Sequence, residues 1–135
     1  MLTQLAIGTL VVIVNVIVQA EMFSAFAGKF ETILLSLRPI FRRFANTAAI
    51  VMGALFVMLV QTVNVWIWAV VFYLAGAFSE FEPALYFSLV SFTTVGFGDI
   101  VPVHPVARSM ATLEALVGQL YPAVLLARLV TLYQK

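Results

Sequence analysis

The chain has 135 residues, is 64% hydrophobic and only 10% charged, and balances 7 basic against 6 acidic side chains, whereas about a quarter of a soluble domain is charged. An integral, all-α membrane protein is expected, folded as one compact bundle without a soluble regulatory domain. The lack of cysteine excludes a disulfide framework and a thiolate metal site, the lone His104 has no second histidine to complete a zinc cluster, and a net charge of +1 is too small for a nucleic-acid surface.

Residues 1–21 begin with a charge-free run to Ala20, close to the ~20 apolar residues that a spanning helix needs. The rival is a signal peptide cleaved near Val18-Gln19-Ala20, but the basic start of such peptides is missing. Across residues 22–46 apolar side chains recur at Phe23, Phe26, Phe30, Ile33, Leu34, Leu37, Ile40, Phe41 and Phe44, and Lys29, Arg38, Arg42 and Arg43 fall off that stripe. This pattern predicts an amphipathic interfacial segment, divided or kinked near Leu37 or Arg38 by Pro39, with anionic lipid as a partner for the four cations. A linker helix facing water is the alternative.

Residues 47–78 are free of charge and, at ~1.5 Å each, outrun a ~30 Å hydrocarbon core, so this helix must tilt or protrude. Trp66, Trp68 and Tyr73 suit an interfacial belt, and Asn15, Gln19, Gln61 and Asn64 have spacings that can tie the first two helices together. Residues 83–93, PALYFSLVSFT, are too apolar for an outer loop and predict a helix of about 16 Å that crosses half the bilayer. Pro83 suits its first turn beside Glu82, while Ser79 and Glu82 match a capping box one turn earlier. The negative C-terminal end of such a helix favours a cation near the midplane.

TVGFG, residues 94–98, then places non-helical backbone at membrane depth, which is tolerated only inside protein or along a watery path. Gly96 and Gly98 accept positive φ, so successive carbonyls can aim at one axis, and the Thr94 hydroxyl adds a ring. The last helix, 106–132, is interrupted in its apolar character by Glu114 and Arg128. Lys29, Arg38, Arg42 and Arg43 lie in the first loop and no Lys or Arg lies between Ser79 and Ala107. Three spans therefore place the N-terminus outside and the C-terminus in the cytoplasm. Glu80, Glu82 and Asp99 make the outer rim acidic, and His104 is either a pH reporter or a silent loop histidine.

The string TTVGFGD from Thr93 to Asp99, set between a half-helix and a spanning helix, resembles the potassium channel pore-domain family. The resemblance covers 47–135: outer helix 47–78, pore helix 83–93, filter 94–98 and inner helix 106–132. It implies permeant potassium ions held mainly by the backbone carbonyls of Thr94, Val95, Gly96, Phe97 and Gly98, in a homotetramer, with no enzymatic chemistry. Phe97 stands where tyrosine is usual. Tyr86 and Phe87 fall on the family's aromatic belt. Val90 occupies a position where some members carry a carboxylate that pairs with the aspartate after the filter, so Asp99 is expected to lack that partner.

Gly118 falls at the family's hinge position in the inner helix, and Pro122 removes the amide that would bond the Gly118 carbonyl; a static kink is the alternative. Gln119 is expected to face the cavity or else to link helices. Glu114, with Ser91 or Thr93 as expected partner, either supports the filter together with Thr93 and Asp99 or senses protons. Voltage sensing is not expected, since no regular row of arginines occurs. A weakly selective cation channel and a non-conducting subunit of a larger channel or transporter remain the alternatives, and a bacterial plasma membrane is the expected location.

Overall fold

The computed structural model describes residues 2–37 and 45–133. Over them the chain forms four helices: α1 (Leu2–Leu37), α2 (Ala45–Leu74), α3 (Phe81–Phe92) and α4 (Pro105–Tyr133).

α1 runs unbroken for 36 residues, so the expected division at residue 21 into a spanning helix and a separate interfacial segment does not occur. The physical reason is local. No proline falls between Leu2 and Leu37, Gly8 and Gly28 are only mild breakers, and a change from apolar to charged composition leaves the backbone ladder intact. Glu21 and Lys29 are exposed on this continuous rod. Pro39, Arg38, Arg42 and Arg43 lie outside the described residues.

α2 ends four residues before the sequence pattern suggested, because Gly76 takes φ +68° and closes a C-terminal cap. The Gly76 amide donates to the Tyr73 carbonyl at 3.0 Å and the Ala77 amide to the Phe72 carbonyl at 3.0 Å, the paired bonds of a Schellman motif. α3 starts at Phe81 rather than at Pro83. Its N-cap is Glu80, without a side-chain cap, so the box between Ser79 and Glu82 does not form. Pro83 still lies in the first turn, where its missing amide would have had no helical partner. α4 begins at Pro105, and His104 caps it: the Val106 amide donates to Nδ1 of His104 at 3.3 Å. That cap gives the histidine a structural role.

α3 is wedged between α2 and α4. The shared core holds Trp68 and Phe72 from α2, Ala84, Phe87 and Phe92 from α3, and Ala107 and Met110 from α4. α1 lies along α4 and α2. It is tied to α2 by a buried bond from Gln19 Nε2 to Asn64 Oδ1 at 2.7 Å, while Asn64 Nδ2 donates to the Val60 carbonyl at 2.9 Å. Between helices in lipid such a pair contributes about 0.6 to 2 kcal/mol. Asn15 is fully buried too, with both side-chain polar atoms unbonded among the described residues, as is Oε1 of Gln61.

Two stretches, Ala6–Phe26 and Ile50–Leu74, are long and apolar enough to cross a bilayer. α4 has the length, 29 residues, but Arg108, Glu114 and Arg128 dilute its apolar character. The outer faces of α1 and α2 expose Leu10, Ile13, Ile17, Ile50, Leu55 and Met58, a surface suited to hydrocarbon.

Candidate functional site

The site grows out of the C-terminal end of α3. Helical geometry stops at Phe92, and the next amides turn back onto the helix: Thr94 N donates to the Ser91 carbonyl at 3.0 Å and Val95 N to the Val90 carbonyl at 3.1 Å. Gly96 N also reaches the Val90 carbonyl, at 3.4 Å. From there φ is positive at every second residue: +58° at Thr94, +58° at Gly96 and +77° at Gly98. Alternation in the sign of φ turns successive peptide planes over, which allows their carbonyls to be aimed toward one side. Among the described residues, no hydrogen bond is donated to the carbonyls of Thr94 to Gly98.

Sequence alone assigned the positive φ values to Gly96 and Gly98; Thr94 was not foreseen, because a β-branched residue rarely adopts that region. The Thr94 hydroxyl donates to the Thr93 carbonyl at 2.7 Å and accepts from Gln119 Nε2 at 3.2 Å. Gln119 therefore stands at the inner end of this strand, joining α4 to it. Thr93 closes its own turn, its hydroxyl donating to the Leu89 carbonyl at 2.7 Å.

Asp99 has a partner after all. Tyr86 donates its phenol to Asp99 Oδ2 at 2.7 Å, so the outer end of the strand is tied to α3 through Tyr86 instead of through position 90. Val90 contributes its carbonyl, as the acceptor described above, and a buried side chain. Phe87, one residue on, packs on Phe72 and on Phe78, with ring centroids 5.2 Å apart in each pair. Phe97 is exposed, as is Val95.

Behind α3, Glu114 is fully buried and meets Ser88, not Ser91 or Thr93. The Ser88 hydroxyl lies 2.5 Å from Glu114 Oε1 and 2.9 Å from the Val65 carbonyl. One hydroxyl has one proton for two acceptor oxygens, so both contacts close as hydrogen bonds only when the carboxyl carries a proton of its own. Nothing in the sequence marked Ser88; its place on the α4 side of α3 emerges only once the helices are packed. Gly118, four residues further along α4, is also buried, and a Cβ there would collide with the backbone carbonyl of Phe92. Its first role is thus close approach of α4 to the end of α3. Pro122 lies within α4, as expected.

Residues 60–135, more than half of the chain, match the ion channel family model, and the protein belongs to that family. A stretch of 45 residues is 43% identical to the inward rectifier potassium channel Kirbac3.1 of Paramagnetospirillum magnetotacticum, covering 33% of this chain and 15% of that protein. A stretch of 52 residues is 44% identical to protein LctB of Bacillus caldotenax, covering 38% of each, and 42% identical to protein LctB of Geobacillus stearothermophilus. The chain thus spans well under two thirds of the length of these curated relatives. No solved structure matches it significantly.

Proposed function

We propose that the protein is a subunit of a potassium-selective channel, in which four copies of Thr94–Gly98 surround one axis and pass potassium passively across a membrane. The observation that carries this reading is the alternating φ from Thr94 to Gly98, with the amides of Thr94 to Gly96 turned back onto α3 and the carbonyls left free. Stacked carbonyls of this kind replace the hydration shell of potassium. One chain offers one oxygen per layer, too few to substitute for that shell, and a fourfold ring supplies the rest. The end of α3 adds the negative pole of its dipole beneath the ring.

In this reading α1, α2 and α4 span the bilayer and α3 dips into it from outside, with the N-terminus outside and the C-terminus in the cytoplasm of a bacterial plasma membrane. Asp99, Glu80 and Glu82, all exposed, then surround the outer mouth and raise the local cation concentration. Lys29 and the arginines at 38, 42 and 43 meet anionic headgroups on the inner face.

The test is the reversal potential of the purified protein in planar bilayers under a potassium-for-sodium gradient, with barium as blocker. A reversal near the potassium equilibrium value together with barium block supports the reading. Equal passage of sodium replaces it with a weakly selective cation channel.

A further inference from the structure

α4 is weakest at the turn between Gly118 and Pro122. Pro122 has no amide hydrogen, so the Gly118 carbonyl lacks the donor that an unbroken helix would supply, and bending concentrates at such places. Above this turn α4 is fixed to α3, through Glu114 on Ser88 and through Gly118 against Phe92. A hinge between two bodies results, and α1 lies across it.

α1 touches α4 above the weak point and at it. Above it, Gly8 lets Leu113 lie against the α1 backbone, where any Cβ would crowd the Leu113 side chain. At the turn itself, the ring of Phe23 meets Tyr121 with centroids 6.1 Å apart, inclined at 62°. α1 is in turn anchored on α2: Phe23 packs edge-on against Phe56 at 5.1 Å, Phe26 stacks on Phe56 at 3.8 Å, and Gln19 bonds Asn64. An unbroken helix held above and at a flexible point in its neighbour acts mechanically as a splint.

We propose that α1 splints α4, and that the Phe23–Tyr121 contact sets how readily α4 bends at Gly118–Pro122 and so how often the inner mouth opens and closes. The proposal rests on the channel reading above. It assigns α1 a role in gating beyond that of a membrane anchor.

The chain has no cysteine, so the pair Phe23→Cys/Tyr121→Cys can be linked selectively in membranes by a short bis-methanethiosulfonate, which joins the two thiols through reducible disulfides. The expected result is a crosslink within one subunit that cuts the frequency of open–closed transitions at least tenfold, with recovery on reduction. Phe23→Ala alone is expected to shift open probability about two- to tenfold, the range for loss of one aromatic pair, with conductance and reversal potential unchanged. Absence of the crosslink overturns the splint, as do transitions that continue unaltered once it has formed. A parent protein that passes no potassium, while the double-cysteine variant still crosslinks, overturns the channel reading and the gating role with it.

Discussion

Thr94 has an unusual backbone for its residue type. A β-branched residue at φ +58° is disfavoured by about 1 to 2 kcal/mol, and here it is held by its own hydroxyl, by Gln119 and by the amide bonds to α3. Gly96 and Gly98 adopt the same region without strain. Within one subunit nothing lies within 4 Å of a Cβ built on Gly96, and its φ of +58° makes Gly96→Ala a test of backbone conformation. Under the proposed potassium-channel reading the expected outcome is loss of potassium preference, since about 1 to 2 kcal/mol is imposed on each subunit. Reversal potentials measure it, and an unchanged value would show that the left-handed backbone at 96 is dispensable. At this scale the two glycines were legible because only glycine has that freedom. The Tyr86–Asp99 tie was not, because thirteen positions separate its partners and only the folded turn brings them together.

Among the elements, α3 and α4 interlock where the sequence shows only a carboxylate in an apolar run. Glu114 was recognisable as a residue that must be satisfied; its partner was misplaced by one helical turn, because the face α3 turns to α4 depends on how α3 sits between two helices. The helix bounds shifted for local reasons of the same kind: Gly76 ends α2 and His104 starts α4, each through hydrogen bonds that composition does not display. The link between Ser88, Glu114 and Val65 predicts a graded series. Glu114→Gln keeps a group that can donate to Ser88, and should leave the thermal unfolding of the protein nearly unchanged. Glu114→Leu leaves the bond from Ser88 to Val65 but removes the tie to α4, and should destabilise by about 1 to 3 kcal/mol. Equal behaviour of the two variants would mean that shape alone matters at 114. Gly118 belongs to this scale as well, since alanine there meets the Phe92 carbonyl and would disturb packing before it altered bending.

For the molecule as a whole, the channel core and the added first helix were legible, and the unbroken length of that helix was not. A charge-free run, a half-length apolar helix and a glycine-bearing strand are separate signals, each with its own physical cause, and they fall in the order in which the chain uses them. Composition in residues 22–46 changes toward charge and aromatic side chains, and that change suggested a new element at residue 22, where the helix continues as far as Leu37. A helix of 36 residues is about 54 Å long, against a hydrocarbon core of ~30 Å. Such a rod answers bilayer thickness by tilting as one piece, and its tilt would be felt far from the lipid, at Phe23 and through it at Tyr121. Channel activity should therefore vary with acyl-chain length in reconstituted vesicles, and Phe23→Ala should flatten that dependence. Potassium flux across a series of phosphatidylcholines would read it. Through α1, the thickness of the surrounding bilayer becomes an input to the pore.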